Sequence, residues 1–146
     1  GQMTLARPVP PTPPWIALQP SLAVPVALPA WVRVEPFARD WLRRAGLVVT
    51  TWGVTVYETL YCGTPTLMVT TGHATEGDAT CLEMRSGGAV KSLGVLGTLY
   101  PGMVRTAVQG LSRDPEERTR MAAASLNLVD GVGAARAAAA ILALEV

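Results

Sequence analysis

The pattern of apolar positions between residues 46 and 70 predicts a strand, a helix and a second strand in succession. Residues 47–49 form a continuous apolar run, which is typical of a strand buried on both faces of a sheet. A second run, rich in β-branched residues, follows at residues 66–69, and apolar side chains recur at helical spacing between the two. Because a short crossover of this kind joins parallel strands, the unit predicts an α/β fold with a Rossmann-like parallel sheet flanked by helices.

The same patterning predicts further elements on both sides of this unit. They are helices at residues 37–45, 79–86, 103–111 and 134–144, a helix that begins at Pro115, and short strands at residues 32–34 and from residue 89. Eight of the twelve prolines lie in residues 1–30, which excludes a regular helix there. The chain therefore divides into a proline-rich arm or linker at residues 1–30 and a Rossmann-like domain at residues 31–146. The alanine-rich last helix is expected to pack closely against another helix.

The loop after the first predicted strand is the main candidate for a binding site. It lies at the carboxyl end of a parallel strand, where open α/β sheets bind ligands, and it opens a helix whose free N–H groups attract anions. Thr51, Gly53 and Thr55 surround this turn, and Glu58 follows one helical turn later, where a carboxylate could reach a pair of sugar hydroxyls. Ordinary helix capping explains the same hydroxyl groups, so both interpretations stay open.

A second polar loop follows the second predicted strand and opens at the same edge of the sheet. It contains Thr71, Glu76 and His73, the only histidine of the chain. Polar loop residues at such an edge are candidates for function, and His73 and Glu76 are candidates for an acid and a base, although the sequence does not show whether they pair. One histidine with the acids Glu76 and Asp78 is a poor set of metal ligands, so no metal is predicted.

Taken together, these segments resemble the carboxyl-terminal domain of GT-B glycosyltransferases and their relatives. The resemblance covers residues 32–144 and rests on the order and spacing of residues 45–69, 72–76, 86–90, 111–116 and 129–136. It points to the branch that holds the peptidoglycan N-acetylglucosaminyltransferase and the UDP-sugar hydrolase of pseudaminic acid synthesis. It implies half of a GT-B fold, truncated at its amino-terminal side, because the glycine-rich first loop of such a domain is not found before residue 32.

The resemblance implies that the chain binds a UDP-sugar and that the glycosyl group passes to an acceptor held by a second domain, with no cofactor besides this donor. The implied nucleotide-sugar-binding residues are Thr51, Trp52, Gly53, Thr55, Glu58, Thr71, His73 and Glu76. Trp52 stands where the relatives usually have glycine, and its indole could crowd a phosphate or stack on a uracil base. The isolated chain is expected to be inactive in sugar transfer.

Two alternatives remain beside the glycosyltransferase interpretation. One is a nucleotide-sugar hydrolase or 2-epimerase on the same scaffold, and the other is a non-catalytic, self-associating remnant. A sheet that lacks its first strands exposes an edge, which favours a homodimer or coverage by the proline-rich arm. A lipid acceptor would bring peripheral membrane association.

Net charge and cysteine content limit the possible partners and the cellular compartment. The net charge of +1, with scattered arginines, gives no basic footprint for nucleic acid. Cys62 and Cys81 form no CxxC pair and the start carries no secretory pattern, so we expect a cytoplasmic protein.

Overall fold

The computed structural model describes residues 35–144 and shows a three-stranded parallel sheet flanked by helices. This architecture confirms the predicted α/β, Rossmann-like fold. The proline-rich arm at residues 1–30, the strand predicted at residues 32–34 and the last two residues lie outside the described range.

Helices and strands alternate through most of the described chain. In order, they are α1 (Arg39–Arg44), β1 (Val48–Thr51), α2 (Val54–Cys62), β2 (Thr66–Thr70), α3 (Glu76–Arg85), β3 (Val90–Val95), α4 (Pro101–Arg113), α5 (Pro115–Leu126) and α6 (Gly133–Leu142). Two short 3₁₀ turns, His73–Thr75 and Leu96–Thr98, precede α3 and α4.

The three strands pair in the order β1-β2-β3, and both pairings are parallel. Val48 lies opposite Thr66, which in turn lies opposite Val90, so the strands start at nearly the same level. The loops that follow the strands consequently open at one edge of the sheet. We call the loops 52–53 and 71–75 at this edge the strand-end rim.

The central strand β2 lies between two apolar clusters, and each of its five residues is buried. On one face, Met68 packs with residues of α2, α3 and the start of β3. On the other face, Leu67 packs with Leu111 of α4 and Met121 of α5. This burial on both sides explains why the strand appears in the sequence as an unbroken apolar run.

Helix α2 begins and ends at glycines that adopt conformations unfavourable for other residues. Gly63 has φ 67°, the left-handed conformation of a helix C-cap, and its N–H donates to the carbonyl oxygens of Leu60 and Thr59. At the other end, Gly53 precedes the first helical residue with φ 153°. The predicted β-α-β unit is therefore confirmed. Its first strand runs from Val48 to Thr51 instead of residues 47–49, and Val49 is 46% exposed, so the prediction of a strand buried on both faces was wrong for β1.

Four predicted helices begin at other residues than expected, and the last of them, α6, begins at Gly133 instead of residue 134. Helix α1 starts at Arg39 instead of residue 37, because the chain is still extended at Ala38, and Phe37 before it is 43% exposed. Helix α3 starts three residues before residue 79, since the acidic side chains of Glu76 and Asp78 favour the first turn of a helix. Helix α4 starts at Pro101, whose fixed φ suits the first helical position.

The expectation for the last helix was wrong. Every residue from Gly133 to Leu144 is exposed, and Ile141 and Leu142 are 61% and 65% exposed. The alanine-rich composition permits a close helix contact, but no described element packs closely on α6. None of the helices between residues 35 and 144 is long and apolar enough to cross a membrane.

Candidate functional site

The amino-terminal end of α2, beside the strand-end rim, has no side-chain cap. Its N-cap is Gly53, which has no side chain to accept a hydrogen bond, and no acidic residue lies in the first turn. The first hydrogen bond of the helix runs from the N–H of Val56 to the carbonyl oxygen of Gly53, at 3.1 Å. The helix therefore presents N–H groups and the positive end of its dipole without a compensating carboxylate of its own.

Gly53 is required here by backbone conformation and not by crowding from remote side chains. Its φ of 153° and ψ of −164° lie in a region that is open almost only to glycine. A Cβ atom built on Gly53 would meet no atom within 4 Å beyond its chain neighbours. The turn is therefore open to close approach by a ligand.

Trp52 anchors the turn to the protein core. Its N–H donates to the carbonyl oxygen of Val69 at 2.7 Å, which ties the end of β1 to β2. The half-buried indole packs against the cluster around Met68, and its ring centroid lies 6.1 Å from that of Tyr57. Trp52 thus has a packing role, which accounts for a bulky residue beside Gly53.

The hydroxyl groups predicted to contact a ligand are distributed around this turn. Thr51 ends β1 and is exposed, and it lies opposite Val69 in the sheet register. Thr55 occupies the first turn of α2 and is half-buried, whereas Thr71 follows β2 and is exposed. Since adjacent strands of a sheet are about 4.8 Å apart, the loops after β1 and β2 are immediate neighbours.

His73 and Glu76 form a pair, which the sequence left undetermined. The Nδ1 atom of His73 lies 2.9 Å from Oε2 of Glu76, and the two side chains are 76% and 45% exposed. A 3₁₀ turn sets their spacing, with the N–H of Glu76 bonded to the carbonyl oxygen of His73. The hydroxyl group of Thr75 bonds to the carbonyl oxygen of Gly72 and braces the same turn.

Glu58 is engaged within the protein. Its Oε1 atom lies 3.2 Å from Nε of Arg39 in α1, and the two side chains are 25% and 84% exposed. Because Arg39 is so exposed, this ion pair is screened by solvent and contributes little to stability. A ligand hydroxyl group could therefore bind Glu58 beside Arg39 or in place of it, without breaking a buried ion pair.

Two other segments on which the expected resemblance rests, residues 111–116 and 129–136, have structural roles. Asp114 caps α5, with Oδ1 accepting from the N–H of Glu117 at 2.9 Å. Asp130 accepts two hydrogen bonds from Arg136, at 2.6 and 3.1 Å, and one from the N–H of Val132. These bonds, that of Arg136 first, lower the pKa of Asp130 to about 2, so it stays ionised while it holds the start of α6.

The Gly-Gly segment before β3 also has a structural explanation. Arg120 of α5 donates to the carbonyl oxygen of Gly87 at 2.9 Å, and a Cβ atom on Gly88 would lie 2.6 Å from its guanidinium. The same guanidinium binds Glu117 at 2.6 and 2.8 Å, and Lys91 lies 2.8 Å from Glu117. These partners, Arg120 first, lower the pKa of Glu117 to about 2.

An open groove of about 450 Å³ lies between β3 and α4, but its charged groups already have partners. Lys91 pairs with Glu117, Asp114 caps α5, and Glu83 accepts from the N–H of Ser92 at 3.1 Å. The apolar floor comes from Leu67, Leu93, Ala107 and Leu111. With its polar groups satisfied internally, this groove is a weaker candidate for a charged ligand than the rim.

Two side-chain pairs at this site differ in how far the sequence could predict them. The pairing of His73 with Glu76 follows from a three-residue spacing in a helical turn, a signal that was available in the sequence. Arg39, the partner of Glu58, comes from a different helix, and local spacing carries no signal for such a contact.

Comparisons with known proteins do not assign the chain to a family. Neither protein-family models nor curated proteins match it. Within residues 35–144, no group of three or more His, Cys, Asp and Glu side chains is arranged to hold a metal ion.

Proposed function

We propose that the chain is the nucleotide-sugar-binding domain of a glycosyltransferase, with a UDP-sugar as donor. The observation that supports this most is the start of α2, where a glycine turn without a side-chain cap lies at the carboxyl end of a parallel sheet. Such a turn suits a diphosphate, because N–H groups and the helix dipole both favour negative charge. The resemblance of residues 45–69 to GT-B domains supports the same assignment.

In this proposal, each predicted binding residue has a defined role toward the donor. Gly53 and the hydroxyl groups of Thr51 and Thr55 bind the diphosphate, and Glu58 exchanges Arg39 for the ribose hydroxyls. Thr71, His73 and Glu76 border the sugar. Trp52 supports the turn from beneath through its packing against the core.

The acceptor belongs to a second domain in this proposal, so the chain alone transfers no sugar. If the acceptor is a lipid, the assembled enzyme works at a membrane surface. The working compartment is the cytoplasm, where UDP-sugars serve as donors for biosynthesis. Detectable glycosyl transfer by the isolated chain would contradict the division of labour between two domains.

Titration of the ¹⁵N-labelled protein with UDP tests the binding site directly. We expect the amide signals of Gly53, Val54 and Thr55 to shift most, and Glu58→Ala to weaken binding about fivefold, the loss of roughly one hydrogen bond. Glu116→Ala, which removes an acid from the first turn of α5 instead, is the matched control and should bind UDP normally. No shift at millimolar UDP would overturn the proposal.

Hydrolysis of a nucleotide-sugar is the second candidate, favoured by the pairing of His73 with Glu76. In this reaction the imidazole takes a proton from water while the water oxygen attacks the anomeric carbon. The bond from that carbon to the diphosphate breaks, which releases UDP and the free sugar. Release of UDP from a UDP-sugar by the isolated chain, abolished in His73→Ala, would favour this reaction over transfer.

Self-association without catalysis is the third candidate, and the exposed apolar side chains near the carboxyl terminus favour it. Val132 is 50% exposed and Leu144 is 84% exposed, and both flank the exposed helix α6. A ten-residue helix is marginal in water without packing, so α6 gains from a partner such as a second copy. A homodimer in sedimentation experiments, together with no response to UDP, would favour this candidate.

A further inference from the structure

The His73–Glu76 pair is the contact on the rim from which a chemical state can be derived. A carboxylate oxygen can only accept a hydrogen bond, so the Nδ1 atom of His73, 2.9 Å from Oε2 of Glu76, must carry the hydrogen. In the neutral imidazole, Nε2 is then the unprotonated nitrogen and a hydrogen-bond acceptor.

The surroundings leave Nε2 available. The side chain of His73 is 76% exposed, and its ring makes no second hydrogen bond with the described residues. The ring sits on a 3₁₀ turn closed by the N–H of Thr75, which donates to the carbonyl oxygen of Gly72 at 3.3 Å. This turn directly follows Thr71, next to the loop that contains Gly53.

We propose that Glu76 is a positioning residue that holds His73 as the Nδ1–H tautomer, so that Nε2 accepts a hydrogen bond from a hydroxyl group of the bound ligand. Within the proposed function, on which this part rests, that hydroxyl belongs to the sugar of the donor. The structure supplies the pairing partner and the exposed acceptor, and the loop that carries His73 follows β2, next to the loop after β1 that contains Gly53.

Nuclear magnetic resonance of the imidazole nitrogens tests the tautomer without any ligand. His73 is the only histidine of the chain, so both nitrogen signals belong to it, and their couplings to the two ring protons distinguish Nδ1 from Nε2. At pH 9, above the usual titration range of imidazole, we expect an Nδ1–H pattern in the unmodified chain. Glu76→Ala should return the ring to the tautomer mixture of free histidine, and Glu76→Gln, which keeps an acceptor oxygen, should restore part of the pattern.

Asp78→Ala is the matched control, because Asp78 also lies in the first turn of α3. It should leave the tautomer unchanged. An Nε2–H pattern in the unmodified chain, or no change in Glu76→Ala, would overturn the positioning role, whether or not UDP binds.

A comparison of UDP with UDP-N-acetylglucosamine tests the acceptor role. We expect the Nε2 signal to move with the UDP-sugar and to stay in place with UDP. Glu76→Ala should weaken the UDP-sugar about fivefold and leave UDP unaffected. If both ligands bind and neither moves Nε2, the acceptor role fails while the proposed function stands. If neither ligand binds, the proposed function and the acceptor role fail. The tautomer experiment then decides only whether Glu76 holds His73 in the Nδ1–H form.

Discussion

Helices α2 and α5 begin in opposite ways. Helix α5 starts with Asp114, whose carboxylate accepts from the N–H of Glu117, followed by Pro115 and the acids Glu116 and Glu117. Helix α2 starts with Gly53, with no side-chain cap and no acid in its first turn. One helix compensates its dipole from within the chain, and the other leaves it uncompensated.

Under the proposed function, the difference separates a helix start that is stabilised within the chain from one that is left open for an anionic ligand. Capping and first-turn acids stabilise a helix by about 1 kcal/mol in typical cases, so their absence at α2 lowers stability. A phosphate can supply the same compensation when it binds. The locations of the two helices agree with this division. Helix α2 starts at the strand-end rim, whereas α5 starts beside β3 and has a structural role.

The largest effect is expected from Gly53→Ala. Because φ of 153° is unfavourable for a residue with a side chain, we expect a loss of about 1–3 kcal/mol in the free energy of unfolding. Urea denaturation measures this loss. Gly77→Ala, at an exposed position in α3, is the control and should gain up to about 1 kcal/mol. Equal effects at both glycines would show that the turn before α2 is not constrained as the structure indicates.

A smaller effect is expected at Val54, the first residue of α2, which is 75% exposed. An acidic residue there should raise the stability of the fold and lower its affinity for UDP. Relative to Val54→Gln, the variant Val54→Glu adds only a charge and should stabilise the fold by about 0.3–1 kcal/mol. The same charge should weaken UDP binding several-fold, because the carboxylate repels the diphosphate. Urea denaturation and calorimetric titration measure the two quantities. Equal UDP affinities for the two variants would show that UDP does not bind at the start of α2.

Local sequence signals were sufficient for the central unit of the fold. The apolar run at β2, the helical spacing in α2 and the end of α2 at Gly63 each depend on neighbouring residues only. The capping of α5 by Asp114 was predictable for the same reason, since the cap acts within three residues.

Contacts between distant segments were beyond these signals. The ion pair of Glu58 with Arg39 joins two helices, and the exposure of Ile141 depends on what packs against α6. An alanine-rich helix has the same composition whether it is buried or exposed, so its pattern could not decide. The anion site itself stays a prediction, because its polar groups suit helix capping and ligand binding equally.

The smallest effect is expected from the pH dependence of the α5 start. Arg120 and Lys91 lower the pKa of Glu117 from 4.5 to about 2, so the unfolded chain binds this proton at a higher pH than the folded chain. The stabilisation is therefore complete above about pH 5 and is lost as the pH falls from 4.5 toward 2. Its size is modest, because the ion pairs of Glu117 with Lys91 and Arg120 are partly exposed to solvent.

Urea denaturation of Glu117→Gln across this range tests the prediction. The deficit of the variant should be constant above about pH 5, and the two stability curves should converge toward pH 2 as Glu117 becomes protonated in the unmodified chain. Glu116→Gln is the control, since Glu116 forms no ion pair with a described residue. A deficit that stays constant down to pH 2 would mean that Glu117 stabilises α5 through packing, and the contrast with the uncharged start of α2 would then lose its electrostatic basis.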